Sequence, residues 1–250
     1  MTPASSAWAA AQDAAAHTFV SSLDDSVEIT GADGHHLQRV RRLRVGEHMT
    51  AADGAGGWRR YEIDVIQPGR LHLVARGERG RDPELVPGVA LAVALTKAGA
   101  LDAVVARCTE LGVTRITPVR ARRCVVRWDA TQAERAVARL RTVAREAAAQ
   151  CRRARLPEIA EVADLTDFAD RPDVVVADRT GGSIDDLPPA DGGDWTVVVG
   201  PEGGLDPGEL EAFARARKLS LGPHILRAET APIAAVSVLV SRARTVFREW

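Results

Sequence analysis

The run Val197-Val-Val-Gly-Pro-Glu-Gly-Gly-Leu205 sends a β-branched stretch straight into a glycine-rich turn, and Asp206-Pro207 then offers a helix start. In open α/β sheets ligands bind beyond the carboxyl ends of the strands. Glycines at such a place let backbone N–H and C=O groups approach a ligand closely. Gly200-Pro-Glu-Gly-Gly204 is neither G-x-G-x-x-G nor a P-loop, and no Lys-Ser/Thr follows, so nicotinamide and ATP chemistry have little support. Taken alone, the run also reads as a plain tight strand-to-helix turn.

A second run, Leu219-Ser-Leu-Gly-Pro-His-Ile-Leu-Arg-Ala-Glu-Thr-Ala231, repeats the logic: a strand, a Gly-Pro turn, then Arg227, Glu229 and Thr230 gathered before a helix. Thr230 can cap that helix and Glu229 suits its dipole, so a structural role is open to both. Arg227 is harder to explain structurally. A cation beside a helix N-terminus is electrostatically unfavourable, and a carboxylate or a substrate anion would account for it.

The elements around these runs fall into two rhythms. Residues 1 to about 80 read as a small β-rich module, with strands expected at Val27–Thr30, His48–Ala52, Trp58–Ile66 and Leu71–Arg76. An Ala-rich first helix precedes them, and Asp33 can cap a short helix, His35 to Leu43, in a segment carrying Arg39, Arg41, Arg42 and Arg44. The charged Gly77–Gly88 stretch, with Pro83 and Pro87, reads as a linker. From residue 81 onward strands alternate with helices: strands at Val89–Leu95, Arg115–Val119, Asp173–Ala177, Trp195–Val199 and Leu219–Leu221, and helices at Leu101–Leu111, Thr131–Gln150, Pro207–Arg217 and Ala231–Phe247. That alternation predicts a parallel sheet covered on both faces.

Composition narrows the class. The 250 residues are 46% hydrophobic and 27% charged, which fits a globular protein and argues against disordered and fibrous readings. The longest apolar run, Val89–Leu95, is far short of the roughly 18 residues of a membrane helix, and no basic n-region of a signal peptide precedes Arg39. Cys108, Cys124 and Cys151 suggest neither a disulfide framework nor a metal site, and a reducing cytoplasm fits them best. The net charge of −1 hides an asymmetry: of 33 basic residues only Lys97 and Lys218 are Lys. Arg107–Arg155 carries a net +9 and Glu161–Glu211 a net −12. Arg forks match phosphate geometry, so a basic half suits a nucleic-acid enzyme, although a solvated Arg-rich helix face explains it equally well.

Taken in order, these segments resemble the SPOUT class of S-adenosylmethionine-dependent RNA methyltransferases. More narrowly, the chain is similar to the bacterial family that methylates N3 of a uridine in 16S ribosomal RNA of the small subunit. The resemblance rests on Gly34-His-His-Leu-Gln-Arg-Val-Arg-Arg-Leu-Arg-Val-Gly46 and Asp53-Gly54 in the first part. In the second part it rests on Lys97, Glu110-Leu-Gly-Val113, Ile116-Thr-Pro118, Arg123-Cys124, Glu146–Cys151, Leu156-Pro-Glu158, Gly200–Gly204 and Leu221–Arg227. Ala228, where a Thr is common, and Pro232 depart from the pattern.

The resemblance implies an α/β protein: an N-terminal PUA-like β-barrel over residues 1–80, used for RNA, and a C-terminal SPOUT domain over 81–250 whose chain threads a trefoil knot. It implies a homodimer with 16S RNA or the small subunit as partner, and the composition adds the expectation of a cytoplasmic protein with neither membrane nor metal involved. S-adenosyl-L-methionine is expected against Gly200, Pro201, Glu202, Gly203, Gly204, Leu221, Gly222, Ile225 and Leu226. Arg227 is expected to stabilise charge on the uracil oxygens, and Glu229, or else Glu202, to take the N3 proton. RNA is expected at His36, Arg39, Arg42, Lys97, Arg122, Arg123, Arg152 and Arg153, although His36 on its own reads as an ordinary histidine. Glu110 and Glu146 read as salt-bridge partners and the cysteines as core filling. A ribose 2′-O-methyltransferase of the same superfamily and a non-catalytic RNA-binding assembly factor are the alternatives. The Gly34–Gly46 signature argues against the first, and the intact glycines of both loops argue against the second.

Overall fold

The computed structural model describes residues 14–39, 42–187 and 193–246, with Arg39 and Ala98 as backbone only. Within them the chain divides into two compact units. One takes the chain up to Glu84 together with Ala148–Leu156 and Val246, and the other takes Leu85–Ala147 and Pro157–Thr245.

The first unit is a five-stranded sheet of β1 (Ala16–Phe19), β2 (Ser26–Ile29), β3 (His48–Ala52), β4 (Gly57–Gln67) and β5 (Arg70–Arg81), ordered β1-β3-β4-β5-β2. Strands β3, β4 and β5 form an antiparallel meander, β2 adds antiparallel to β5, and β1 lies parallel to β3. Met49, Tyr61, Ile63, Leu71 and Leu73 are fully buried in its core, and Leu37 of helix α1 (Gly31–Arg39) packs with them. The buried Tyr61 hydroxyl donates to the Asp24 carbonyl at 2.9 Å, which meets its polar end. Trp58 faces Gly80 across the β4–β5 ladder, and any Cβ at Gly80 would collide with the indole. Ala148 and Ala154 complete a small cluster with Phe19, Ala52 and Trp58.

Several local expectations change here. Strand β5 runs past Arg76 into the stretch read as a linker, because β4 supplies partners as far as Gly57↔Arg81. Helix α1 starts at Gly31, so Asp33 lies in its first turn rather than at its cap. Ala16–Phe19, at the end of the Ala-rich start, is a strand; the expected first helix otherwise lies outside the described residues.

The second unit is a parallel sheet of β6 (Val89–Ala94), β7 (Arg115–Arg120), β8 (Glu158–Ile159), β9 (Ala163–Asp164), β10 (Val174–Gly182), β11 (Trp195–Val199) and β12 (Arg217–Leu219). Their order is β9-β7-β6-β11-β10-β12, with β8 beside β7, and every pairing is parallel. Period-2 alternation splits the buried side chains between two faces. Leu91, Val93, Val175, Val197 and Val199 pack with helices α2 (Ala98–Leu111), α3 (Ala130–Cys151) and α5 (Thr230–Arg242). Ala92, Ala94, Val174, Val176 and Val198 face Leu165, Phe168 and Phe213 on the other side. Coverage of both faces is what a parallel sheet requires.

The ends of these helices follow local chemistry. Gly112, at φ +101°, closes α2, with the amide of Val113 returning to the Cys108 carbonyl. Helix α4 (Pro207–Ala212) stops five residues before the expected end, because Ala214 and Ala216 turn back to Glu211 and Phe213 and β12 begins at Arg217. Helix α5 ends at Arg242, and Arg244–Val246 is extended. After the central strand β11 the chain passes through α4 to β12 at the sheet edge. It then returns to place α5 against β6 and β11.

Candidate functional site

At the carboxyl ends of β10 and β11 the second unit opens a cleft of about 540 Å³. Three segments line it: Ala177–Thr180 from β10, Val199–Leu205 from the end of β11 and the following turn, and Leu221–Ala231 in part. Gly200, Pro201, Glu202, Gly203, Gly204, Leu221, Gly222, Ile225 and Leu226, the positions expected to hold the cofactor, all border it.

The glycine-rich turn is held from several sides. The Gly204 amide donates to the Pro201 carbonyl at 2.9 Å, and Gly204 has φ +69°. Gly222 in the second loop has φ +123°, a conformation in which a side chain would strain the backbone. Behind the turn, Asp206 and Glu209 form a capping box with Pro207 in the first helical turn of α4. Glu209 is 3% exposed, and its two oxygens accept from the amides of Asp206 and Arg122, both at 2.8 Å. One buried carboxylate thus ties the segment after β7 to the start of α4. The Arg123 guanidinium adds a bond of 2.9 Å to the Gly203 carbonyl, and Arg122 reaches Asp206 at 3.4 Å.

The third wall was not anticipated. The strand expected from sequence ends at Ala177, yet Asp178, Arg179 and Thr180 beyond it line the cleft. The available signal was positional: a β-branched strand ending beside β11 must also end at the ligand-binding edge. Thr180 donates both its amide and its hydroxyl to one oxygen of Asp178, each at 2.7 Å. Partial burial works against the Asp178 charge, but the two Thr180 bonds, with Lys218 and Arg179 nearby, outweigh it and hold the carboxyl below its usual range.

In the last loop the Arg227 carbonyl accepts the amides of Thr230 and Ala231, both at 2.9 Å, and so starts α5. Glu229, not Thr230, occupies the cap position, and it makes no side-chain cap bond. Thr230 is already helical, so its hydroxyl sits one residue too late to cap. The side chains of Arg227 and Glu229 are exposed and form no hydrogen bond or ion pair with a described residue. Ala228 between them lines the cleft.

The residues expected at RNA have mixed settings. His36 and Arg42 are exposed in the first unit, Arg42 at φ +52°. Lys97 is exposed at the cap of α2, and the Arg39 side chain lies outside what is described. Arg122 and Arg123 are exposed but already engaged with Asp206 and with the Gly203 carbonyl of the glycine-rich turn. Arg152, at φ +62°, and Arg153 are partly buried. Burial pushes the Arg153 pKa down to about 10, with Cys151 and Asp82 opposing the shift. Several arginines of the basic stretch are paired as well: Arg107 with Glu110 at 2.8 Å, Arg120 at the end of β7 with Asp164 at 2.8 Å and Arg141 with Glu161 at 2.7 Å. Cys108 is buried, and burial raises its thiol to about 12. Among the described residues no His, Cys, Asp or Glu group could hold a metal ion, and no helix is long and apolar enough to cross a membrane.

A doubly covered parallel sheet with a glycine-lined cleft at its carboxyl edge, preceded by a small β-sheet unit, is the plan of a two-part RNA methyltransferase. Residues 84–240 match the family described as an RNA methyltransferase domain, and residues 29–75 match an RNA methyltransferase PUA domain. The "Ribosomal RNA small subunit methyltransferase E" of Mycobacterium tuberculosis (strain CDC 1551 / Oshkosh) is 35% identical over 90% of this chain and 92% of its own length. The Bacillus subtilis (strain 168) protein of the same name is 28% identical over 84% of this chain and 88% of its own. A crystal structure of the Neisseria gonorrhoeae protein of that name, bound to S-adenosyl methionine, superposes with a TM-score of 0.82 at 26% identity, covering 91% of this chain and 98% of that one. The chain belongs to the ribosomal RNA small subunit methyltransferase E family.

Proposed function

We propose that the protein transfers the methyl group of S-adenosyl-L-methionine to N3 of a uridine in 16S RNA of the small ribosomal subunit. One observation carries this reading: two glycine turns, separated by α4 and β12, converge with the end of β10 on a single cleft at the carboxyl edge of the sheet. The cleft is of the size that takes a nucleoside-sized ligand. The positive φ values of Gly204 and Gly222 leave backbone groups rather than side chains at its walls, which suits an adenosyl group held by main-chain hydrogen bonds. Gly200–Gly204 and Leu221–Leu226 are the segments that would hold it. When bound, this cofactor supplies an electrophilic methyl carbon on sulfonium.

The chain's own residues have three tasks. The target uracil must be taken out of any base pair, aligned with the cleft and relieved of its N3 proton. Arg227, exposed beside the start of α5, next to the cleft-lining Ala228 and with no hydrogen bond or ion pair to a described residue, would stabilise negative charge spreading onto the uracil oxygens. Glu229, whose carboxylate is not consumed as a helix cap, takes the N3 proton, with the exposed Glu202 as the second candidate. His36, Arg39, Arg42, Lys97, Arg152 and Arg153 supply phosphate contacts, while Arg122 and Arg123 serve the cofactor loop first. The return of the chain from β12 to α5 is read as the closing pass of a trefoil knot, and the working unit as a homodimer in a reducing cytoplasm, in keeping with three free cysteines.

The test is transfer of labelled methyl from S-adenosylmethionine to purified small subunits, followed by nucleoside analysis. The reading expects 3-methyluridine. A 2′-O-methylated nucleoside would move the protein to the ribose-modifying branch, and no transfer to either naked 16S RNA or subunits would favour a binding factor.

A further inference from the structure

The end of β10 is shaped in a way that the glycine turns alone do not explain. On one side its register with β11 is regular through Val176↔Val198, so Asp178 and Gly200 each lie two residues beyond that pair, at the same level of the sheet. On the other side Ala177 and Gly182 both pair with Leu219, so Asp178–Gly181 are bulged out of the ladder with β12. Bulges of this kind re-aim side chains and cluster beside ligand sites. This one is locked. A Cβ on Gly181 would lie 2.5 Å from the Lys218 carbonyl carbon and 2.6 Å from the Leu219 nitrogen, both backbone atoms that cannot step aside. The Ser220 amide then donates to the Gly182 carbonyl at 2.9 Å.

The bulge delivers Asp178 to the cleft with its two oxygens in different states. Thr180 saturates Oδ1 with two donors, while Oδ2 has no hydrogen bond from a described residue. The carboxylate is kept ionised and therefore acts only as an acceptor. An adenosyl cofactor offers three kinds of donor: the ribose hydroxyls, the adenine exocyclic amine and the methionine ammonium. Lys218 and Arg179, the latter also on the cleft wall, both favour the Asp178 charge and would disfavour a further cation beside it. Carbonyl groups of the two turns can meet the exocyclic amine. The ribose hydroxyls are the donors left for a carboxylate that already has a cation beside it.

We infer that Oδ2 of Asp178 accepts hydrogen bonds from the ribose hydroxyls of the adenosyl cofactor, with Thr180 as the positioning residue that fixes the carboxylate. This rests on the cofactor reading above. The test is calorimetric binding of S-adenosylhomocysteine, 5′-methylthioadenosine and S-inosylhomocysteine to the wild type and to Asp178→Asn. The second probe lacks the amino-acid head, the third lacks the exocyclic amine, and all three keep the ribose. A charge-assisted bond lost on all of them predicts that each weakens by about tenfold or more. Thr180→Val, which removes only one of the two bonds to Oδ1, should weaken the same three probes by a smaller common factor. Unchanged affinity for 5′-methylthioadenosine would assign Asp178 to the ammonium, and unchanged affinity for S-inosylhomocysteine would assign it to the amine; either overturns the inference. Equal binding of all three by Asp178→Asn and wild type overturns it too. Wild-type protein that binds none of the probes would instead refute the adenosyl reading of the cleft itself.

Discussion

Replacing Gly203 with Val separates a cofactor wall from a mere turn. Unlike Gly204 and Gly222, Gly203 does not have a positive φ, so a side chain there brings no backbone strain. A Cβ would lie 3.5 Å from the Arg123 Cβ, an ordinary van der Waals contact, and the Arg123 bond is to the Gly203 carbonyl, which the substitution keeps. Gly203 is also exposed. Stability should therefore stay within about 0.5 kcal/mol of wild type, the usual range for a surface change that breaks nothing. The two γ-carbons have to go into the cleft or along its rim. If an adenosyl group packs against the Gly203 backbone, accommodating them costs what overpacking costs, about 1–3 kcal/mol, or roughly five- to 150-fold in affinity. The assay is calorimetric titration with S-adenosylmethionine, beside thermal melts of the same samples. Gly203→Ala should fall between the two. Wild-type affinity in a normally folded Gly203→Val protein would refute the claim that this turn is a cofactor wall.

Three further outcomes are expected. Arg227→Ala should slow methyl transfer by roughly 10²–10³-fold in single-turnover experiments with saturating RNA, with cofactor affinity nearly unchanged and stability equal or slightly higher, since the arginine has no described partner to lose; a normal rate would end its catalytic assignment. Changing Arg39 and Arg42 together to Ala should reduce the slope of log affinity for 16S RNA against log salt by up to about two phosphate contacts, and an unaltered slope would make that basic segment a solvated face. His17 is buried, its Nδ1 lies 2.7 Å from the Thr50 hydroxyl, and burial together with the Arg152 charge lowers its pKa to about 4. The unfolded chain binds that proton near pH 6.5, so the stabilisation is complete above pH 6.5 and is lost as pH falls toward about 4, by up to ~3 kcal/mol. His17→Gln should flatten that part of the stability–pH curve measured by denaturant titration, and an equally steep curve in the variant would show that another group governs it.

The second unit was the more legible half because its signals are local. Val89–Ala94 and Trp195–Val199 are β-branched or apolar runs long enough for strands buried on both faces, and Gly112 marks the end of α2 where sequence places it. Both glycine turns follow strands, and proximity in the fold then unites positions 200–204 with 221–226. What the sequence hid depends on partners from elsewhere in the chain. Ala16-His-Thr-Phe19 has no alternation of its own and is a strand only because β3 lies beside it. The extension of β5 through Gly77-Glu-Arg-Gly80 needs β4, and Gly80 makes sense only once Trp58 stands opposite. Asp178-Arg-Thr-Gly-Gly182 lies beyond the expected strand, and the bulge that makes it a wall is set by Leu219 on another strand. The basic stretch Arg107–Arg155 suits an RNA surface and a solvated face equally by sequence, and only the fold pairs Arg120 and Arg141 with Asp164 and Glu161 from the acidic stretch that follows.

The central claim is that this cleft methylates one uridine of the small-subunit RNA at N3. The most direct measurement is mass-spectrometric mapping of 16S RNA from cells lacking the protein, from those cells supplied with the wild type, and from those supplied with Arg227→Ala. The account predicts that a single 3-methyluridine disappears on deletion, returns with the wild type, and stays absent or strongly depleted with the variant. A full complement of 3-methyluridine in the deletion strain would contradict it.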